Sequence, residues 1–181
     1  EPIRGRKHGN RYFWTMPHDT NLAWVQIGNQ RLPQLNLPPF PLDWRVGETR
    51  TEVKCLSRLK YFALEPEEWV RQHWLHHLAH DLNYPAGLMS VEHPLQLNGM
   101  KRRADILCHD RSGNPLLMVE CKRHDVPLSE AVLHQILRYH LALETPLIVI
   151  SNGLKHQAYS FKSNAFQALD SLPSYDSIPA K

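Results

Sequence analysis

Two carboxylates and a lysine have a spacing in this sequence that could do chemistry. Glu120 and Lys122 flank Cys121 at the end of an apolar stretch, residues 116–119. In a strand, side chains two residues apart share a face, so Glu120 and Lys122 would point to the same side. Asp105 lies within a second apolar segment earlier in the chain. A charged group in a buried strand is costly unless it is paired or bound to a metal.

A hairpin between these two segments would place Asp105 beside Glu120. Two like charges in one site are unfavourable without a cation between them. Mg²⁺ is commonly held by one or two carboxylates together with waters and phosphate oxygens. A bound cation polarises a phosphoryl group, and a neighbouring lysine offsets negative charge on the nucleophile or on phosphorus. These residues predict metal-assisted phosphodiester hydrolysis. The alternative is a Glu120–Lys122 surface pair, with Asp105 as an ordinary turn-side acid.

Gln135 and Tyr139 lie four residues apart in a segment with helical periodicity, so they stack on one face of the helix. Both side chains can donate hydrogen bonds to phosphate or to metal-bound water. By themselves, however, they fit an ordinary polar helix face better than a functional site.

The elements that must position these residues follow from periodicity and turn signals. A helix begins at Pro66, because proline suits the first helical position, and it ends before Asn83. An antiparallel hairpin forms around the turn at residues 111–115. The order of helix, three strands, helix and two strands predicts a layered α/β domain. The predicted strands are residues 51–56, 89–97, 103–110, 116–122, 147–151 and an edge strand at 158–161, and the second helix is residues 128–144.

The ordered array of an aspartate, a Glu-x-Lys motif and a Gln-x-x-x-Tyr motif resembles the PD-(D/E)xK nuclease superfamily, in the branch that carries QxxxY after the ExK strand. Four sequence blocks are similar to the N-terminal nuclease domain of type I restriction enzyme R subunits and to its small stand-alone bacterial relatives. These blocks are PEEWVRQ (66–72), RRADIL (102–107), VECK (119–122) and SNG (151–153). The resemblance runs from about residue 35 to about residue 175.

The resemblance implies an α/β, restriction-endonuclease-like mixed sheet flanked by helices, with Mg²⁺ as cofactor and Mn²⁺ as a substitute. It places the metal ligands on Asp105, Glu120 and the backbone carbonyl of Cys121, and the catalytic lysine on Lys122. The sequence has Ala104 before Asp105 where the family has proline, and only the aspartate carries the chemistry. From its position in the apolar strand, the Cys121 side chain is expected to be buried packing.

The resemblance also assigns catalytic roles to Gln135 and Tyr139, and we expect Tyr139 to contact nucleic acid as well. The helix acid that completes many such sites corresponds to Glu68, with Glu67 as the second choice. Both acids also suit a first helical turn, and Glu67 can pair with Arg71 at i, i+4. The sequence has no P-loop or helicase motor, so ATP-driven translocation is not predicted.

Positive charge is unevenly distributed along the sequence. Residues 1–33 have a net charge of +3, whereas residues 34–181 sum to zero. We expect residues 1–33 to be a flexible or loosely docked extension, solvated or touching phosphates, and residues 34–181 to form the nuclease-like domain. Lys101, Arg102 and Arg103 are placed to grip a nucleic-acid backbone near Asp105, and Arg103 is equally suited to pair with a structural acid.

Composition excludes several classes of protein. No apolar run approaches the ~18–20 residues that span a bilayer, and no signal segment opens the sequence. Three cysteines without a CxxC motif argue against a disulfide framework or a cysteine zinc site, and favour a reducing cytoplasm. On the first helix, His73 with His77 and His76 with His80 have zinc-ligand spacing but lack the glutamate of HExxH, which favours a solvated or pH-sensitive helix face.

The sequence therefore predicts a Mg²⁺-dependent endonuclease that hydrolyses DNA phosphodiester bonds, with a motor or specificity subunit as a possible partner and no membrane association. The alternative is a non-cleaving module on the same fold that binds nucleic acid or docks a partner. The two hypotheses differ in what loss of Asp105 does. A nuclease loses cleavage and keeps salt-sensitive binding, whereas a binding module is barely affected.

Overall fold

Eleven strands and two α-helices position the Glu-x-Lys motif in the computed structural model, which describes residues 22–97 and 99–178. The strands are β1 Trp24–Ile27, β2 Gln30–Pro33, β3 Trp44–Val46, β4 Thr51–Lys54, β5 Tyr61–Ala63, β6 Met89–Leu97, β7 Met100–His109, β8 Pro115–Cys121, β9 Leu147–Ser151, β10 His156–Lys162 and β11 Ala165–Leu169. The helices are α1 Pro66–His76, which continues into a π-helical turn, His77–Asp81, and α2 Glu130–Leu143.

Strands β6 to β11 form one mixed sheet in the order β11-β10-β9-β8-β7-β6. β8 and β9 run parallel, and the other neighbouring pairs are antiparallel. The connection from β8 to β9 passes through α2, because parallel neighbours require a long crossover. Parallel strands with both faces covered are nearly continuous apolar runs, which explains why four of the five residues of β9 are apolar.

The two helices cover opposite faces of this sheet. Val70 and Trp74 of α1 share a buried cluster with Leu117 and Val119 of β8, whereas Met118 belongs to the cluster that α2 covers. This separation arises because successive side chains in a strand point to opposite faces. The predicted fold class, a mixed sheet flanked by helices, is confirmed.

The N-terminal strands form two small sheets that pack on the α1 side. β1 and β2 form a hairpin, and β3, β4 and β5 form a three-stranded antiparallel sheet. Leu32 and Val53 bury their side chains in the same cluster as α1. Residues 1–21 of the predicted extension lie outside the described residues, and its last part, residues 24–33, is the β1–β2 hairpin. The domain boundary after residue 33 stays a prediction.

Several predicted elements are confirmed to the residue, and the predicted position of one strand in the sheet is wrong. The strands at 89–97 and 147–151 and the helix start at Pro66 are as predicted. The segment 158–161 is not an edge strand, because it lies within β10, which pairs with β9 on one side and β11 on the other. The β10–β11 turn uses Ser163 and Asn164, both with positive φ, so it lacks the glycine that usually marks a hairpin.

The cysteines and helices agree with the exclusions drawn from composition. Cys55, Cys108 and Cys121 are buried free thiols. Burial and the charge of Asp105 raise the pKa of the Cys121 thiol, so this side chain contributes packing rather than a thiolate. In the part of the chain that the structure describes, no helix is both long and apolar enough to cross a membrane.

Candidate active site

Asp105 and the Glu-x-Lys motif meet where β7 and β8 stop pairing. The antiparallel register extends to Ile106 opposite Val119. Beyond that pair, the backbone N–H of Cys121 donates to Oδ2 of Asp105 at 2.7 Å. A side-chain carboxylate thus accepts the hydrogen bond that a strand carbonyl would otherwise take. The hairpin brings Asp105 next to Glu120 where β8 ends, as the sequence predicts.

Glu120 is a buried carboxylate with one satisfied and one unsatisfied oxygen. Oε1 accepts a hydrogen bond from Nζ of Lys122 at 2.7 Å, whereas Oε2 is buried and has no hydrogen-bond partner among the described residues. Burial and the charge of Asp105 raise the pKa of Glu120 to about 7, against the opposing effect of Lys122. A buried carboxylate oxygen without a partner is costly, and a cation at this position would satisfy it.

The raised pKa of Glu120 makes the metal-free protein less stable as the pH rises. Between the unfolded value of 4.5 and the folded value of about 7, the folded state binds the proton more tightly, so this contribution to the free energy of unfolding is lost through that interval. We expect the free energy of unfolding of Glu120→Gln to equal that of wild type at pH 5 and to exceed it at pH 8 by on the order of 2–3 kcal/mol. Urea unfolding of both proteins in EDTA across this pH range measures the difference.

Buried histidines titrate in the opposite sense and must be separated from this effect. Burial lowers the pKa values of His73 and His156 to about 4, so their stabilising contribution is lost as the pH falls from 6.5 toward 4. Because wild type and Glu120→Gln both retain these histidines, the difference between the two proteins isolates Glu120. Asp110→Asn, at an exposed turn where hydrogen bonds from Asn114 lower the pKa of Asp110, is the matched control. A Glu120→Gln difference that does not vary with pH would contradict the raised pKa.

Lys122 is held at both its backbone and its side chain. Its backbone N–H donates to the carbonyl oxygen of Ser151 at 2.8 Å, which extends the pairing of β8 with β9 by one residue. Although partial burial disfavours the charged form, Glu120 and Asp105 raise the pKa of Lys122. A lysine that stays charged near neutral pH can offset negative charge, but it is a poor general base.

Helix α1 adds an arginine that the sequence suggests only as a helical partner of Glu67. Nη2 of Arg71 donates to Oδ1 of Asp105 at 2.7 Å and lies 3.3 Å from Oε1 of Glu67. Nη1 donates to Oε2 of Glu68. The Arg71 side chain is 8% exposed, so water screens these ion pairs only weakly. The contact with Asp105 spans 34 positions in the sequence and has no local signal.

The two acids in the first turn of α1 have different surroundings. Glu68 is 7% exposed, and its Oε1 accepts from Nη2 of Arg58 at 2.8 Å and from Nε2 of Gln72 at 2.7 Å, while Oε2 accepts from Arg71. Glu67 is 43% exposed, and its pKa is raised by burial and by the charge of Asp105. Of the two, Glu67 is the more accessible to the site, with Oε1 hydrogen-bonded to Nη2 of Arg71, although the resemblance favours Glu68. A catalytic role for either acid stays a prediction.

Helix α2 supplies the other predicted motif. Tyr139 is buried in the cluster that includes Leu107, Met118 and Ile148. Gln135 lies one helical turn earlier on α2, and its side chain is outside the described part of the structure. The buried position of Tyr139 leaves little of the ring for nucleic acid. The roles of Gln135 and Tyr139 in catalysis, and of Tyr139 in nucleic-acid contact, stay predictions.

The basic residues before Asp105 form an exposed strip on β7. Lys101, Arg102 and Arg103 are all exposed, and with β6 they line a groove of about 670 Å³. Arg103 lies 3.6 Å from a carboxylate oxygen of Glu92 while 70% of its side chain remains exposed. Arg103 therefore forms a weak ion pair with an acid and keeps an accessible positive charge two residues from Asp105. The nucleic-acid contacts of Lys101, Arg102 and Arg103 stay predictions.

The SNG segment fixes the loop that follows the Glu-x-Lys motif. Nδ2 of Asn152 donates to the carbonyl oxygen of Val126 at 2.8 Å, and Oδ1 accepts from the backbone N–H of Lys155 at 2.8 Å. Gly153 has a φ of +82°, and a Cβ there would lie 2.7 Å from Leu35. Glycine is therefore required by both conformation and packing. The segment holds residues 123–127 next to the end of β8.

The histidines of α1 are not a solvated face. His73 and His77 are buried, because the segment before β3 covers this helix and Phe40 contacts the rings of His73 and His76. Burial lowers the pKa values of His73 and His76 to about 4 and also lowers that of His77. The prediction of a solvated face was wrong for His73 and His77, whereas His80, beyond the end of α1, is exposed, and a pH-sensitive role stays a prediction. Nδ1 of His77 instead pairs with Oδ2 of Asp81 at 2.9 Å.

The donor set around Asp105 fits a magnesium ion with an incomplete protein shell. Mg²⁺ prefers oxygen ligands and usually keeps several waters, so it needs only one or two carboxylates. Asp105 and Glu120 are two such carboxylates, and the unpartnered Oε2 of Glu120 is the oxygen that most needs a cation. Within residues 22–97 and 99–178, no set of three or more His, Cys, Asp or Glu side chains is placed to hold a metal ion. The role of the Cys121 backbone carbonyl as a third ligand stays a prediction.

Comparison with known proteins places the chain in a family. A comparison with curated proteins found no match. Among solved structures, the chain is similar to a fragment whose description names an HsdR subunit of a type I restriction enzyme from Vibrio vulnificus YJ016, with 19% identity over 53% of this chain and a TM-score of 0.42. The matched region is 21% of that chain. The family model for the type I restriction enzyme R protein N terminus matches residues 66–173. This match covers more than half of the sequence, from α1 to beyond β11, and the chain belongs to that family.

Proposed function

We propose that this chain is a Mg²⁺-dependent endonuclease domain that hydrolyses DNA phosphodiester bonds. The observation that carries the proposal is the meeting of Asp105, Glu120 and Lys122 where β8 ends, with Oε2 of Glu120 buried and without a partner among the described residues. Membership of a restriction-enzyme family supports the reaction class. A purely structural ion pair would satisfy both oxygens of a buried carboxylate.

Each side chain has a distinct task in this proposal. Asp105 and Glu120 hold Mg²⁺, or Mn²⁺ in its place, together with the backbone carbonyl of Cys121. The bound ion supplies Lewis-acid polarisation of the phosphate and lowers the pKa of a ligated water. Lys122 stays charged and offsets the negative charge that develops on phosphorus. The hydrogen bond from the Cys121 backbone to Asp105 orients that carboxylate toward the site.

DNA would reach the carboxylates along the basic strip of β7. Lys101, Arg102 and Arg103 supply exposed positive charge without base-reading geometry, so they would position the backbone rather than select a sequence. With a net charge of +3 over the whole sequence, strong unaided DNA binding is not expected. A motor or specificity subunit that delivers DNA belongs to the proposal for this reason. We propose the cytoplasm as the compartment, since the three thiols are free.

One observation favours the alternative of a non-cleaving docking module. Arg71 already neutralises Asp105, so this carboxylate does not depend on a metal for its charge balance. A module that has lost metal binding would keep such a pair. Within residues 22–97 and 99–178, Oε2 of Glu120 has no comparable partner, which argues for a cation.

Cleavage of supercoiled plasmid tests the proposal directly. At a protein concentration high enough to compensate for weak unaided DNA binding, we expect wild type to nick the plasmid with Mg²⁺ and with Mn²⁺, and not with EDTA, because the carboxylates hold the ion that activates water. Agarose gels of a time course measure the nicked fraction. Relaxation of the plasmid that persists in EDTA would contradict the metal requirement. A protein that binds DNA under all three conditions and never nicks it would favour the docking module.

A further inference from the structure

Arg71 is a counter-ion to several carboxylates at the site. Its guanidinium contacts Glu67, Glu68 and Asp105 at once, and no more than 8% of the side chain is exposed. Nε of Arg71 is buried and has no hydrogen-bond partner in the described part of the chain, so its hydrogen bonding runs through the two terminal nitrogens. Nη2 is the nitrogen that is shared between Asp105 and Glu67.

Arg71 binds an oxygen atom of Asp105 that a metal ion would also bind. Oδ2 of Asp105 is occupied by the Cys121 backbone N–H, and Oδ1 by Nη2 of Arg71, both at 2.7 Å. A divalent cation bound to Asp105 would bring positive charge close to the guanidinium. At such distances, like charges repel strongly in a weakly screened site. Arg71 and the cation therefore compete for the same carboxylate.

The structure also provides a place for Arg71 when it leaves Asp105. Nη1 stays bound to Glu68, which is itself fixed by Arg58 and Gln72. Glu67, 3.3 Å from Nη2, is a second acceptor on the same helix. A small rotation of the guanidinium about its Glu68 anchor would exchange Asp105 for Glu67. The Glu68 pair thus acts as a pivot, and no rearrangement of α1 is needed.

We propose that the guanidinium of Arg71 neutralises Asp105 in the metal-free protein. When a divalent cation binds, Nη2 of Arg71 releases Asp105 and keeps its contact with Glu67. This inference rests on the proposed function, since it requires a cation at Asp105 and Glu120. Arg71 is a positioning residue here: it stabilises the metal-free carboxylate and weakens metal binding by competition. The metal site therefore stays folded without its ion, and its affinity for the cation is lower than it would be without Arg71.

Mn²⁺ binding and thermal unfolding of the variant Arg71→Gln test the competition without any measurement of cleavage. We expect a lower melting temperature in EDTA, because two buried carboxylates lose their cation, and an Mn²⁺ dissociation constant that is at least about fivefold smaller than in wild type. Free Mn²⁺ is measured by its electron paramagnetic resonance signal during titration. The melting temperature of the variant should also rise more on addition of Mn²⁺ than that of wild type.

Arg58→Gln is the matched control. Arg58 is also a mostly buried arginine bound to Glu68, but its other carboxylate partner is Glu92 rather than Asp105. We expect this variant to lose stability in EDTA and to keep the wild-type Mn²⁺ affinity within about twofold. Gln72 and Arg71 still hold Glu68 in this variant, and the described contacts of Arg58 include neither Asp105 nor Glu120. If Arg71→Gln does not fold, Arg71→Lys keeps one charge and is expected to bind Mn²⁺ at least about twofold more tightly, because an ammonium cannot bridge carboxylates as a guanidinium does.

The outcomes separate this inference from the proposed function. Tighter Mn²⁺ binding in the Arg71 variant, with unchanged binding in the Arg58 variant, supports competition. Mn²⁺ binding that is equal or weaker in a folded Arg71 variant overturns the competition and leaves the nuclease proposal standing. Absence of Mn²⁺ binding in wild type and in every variant overturns both.

Discussion

Replacement of Lys122 by alanine is expected to reduce metal-dependent nicking of supercoiled plasmid by about 10²–10³-fold. Nζ of Lys122 is 2.7 Å from Oε1 of Glu120, and the side chain is 23% exposed, so its charge acts at the carboxylates and can also reach a phosphate. The variant should remain folded, because the backbone hydrogen bond to Ser151 does not involve the side chain. Nicking rates at equal protein and Mg²⁺ concentrations, with circular dichroism of both proteins, measure the effect.

Lys162→Ala is the matched control for this prediction. Lys162 is an exposed lysine at the end of β10, beside the start of β9, whereas Lys122 lies at the opposite end of the sheet next to the end of β9. Its removal should leave nicking unchanged. Because Lys122→Ala also deprives Glu120 of its partner, Mn²⁺ affinity has to be measured in the same variant. Nicking at the wild-type rate would show that the Glu120–Lys122 pair is only structural.

The convergence of Asp105 and Glu120 could be predicted because every step toward it is local. The turn at residues 111–115 joins two apolar segments, and a hairpin leaves only a choice of register. With Ile106 opposite Val119, the next pair in the register is Asp105 opposite Glu120, so the two carboxylates are neighbours where β8 ends. The structure adds the hydrogen bond from the Cys121 backbone to Asp105, which marks where the pairing of β7 and β8 ends.

The role of α1 at the site could not be predicted from the helix alone. Glu67 and Glu68 differ by about 100° around a helix axis, so the docking angle of α1 decides which acid reaches the sheet. That angle depends on Val70 and Trp74 packing on β8, a contact between distant parts of the chain. The same docking aims Arg71 at Asp105, and no periodicity in the sequence could have revealed that pair.

The N-terminal sheets were predicted only in part, for a related reason. The strand predicted at residues 51–56 corresponds to β4, whereas the other four strands, three or four residues long, are too short to show a clear periodicity of two. They are stabilised by burial of side chains such as Leu32 and Val53 under the rest of the fold rather than by local propensity. The covering of α1 by Phe40 follows from the same packing, and it changes a polar histidine face into a buried one with lowered pKa values.

Asp105→Asn is expected to reduce nicking by at least about 10²-fold while DNA affinity changes by no more than about threefold. Asparagine keeps the shape and can still accept a hydrogen bond from the Cys121 backbone, but it removes the charge that would hold a divalent cation. The basic strip on β7 is unchanged, so contacts to the phosphate backbone remain. Nicking gels and fluorescence anisotropy with labelled duplex DNA at several KCl concentrations measure the two quantities separately.

Asp110→Asn controls for the loss of a negative charge from the same part of the chain. Asp110 directly follows β7 at an exposed turn, where its carboxylate accepts hydrogen bonds from Ser112 and Asn114, so its removal should affect neither nicking nor binding. Equal losses of nicking and binding in Asp105→Asn would indicate a folding defect, which unfolding in EDTA would reveal. Unchanged nicking would remove Asp105 from the metal site. A protein that never nicks DNA, and whose DNA affinity is insensitive to Asp105→Asn, would instead be the docking module, with Arg71 as the permanent partner of Asp105.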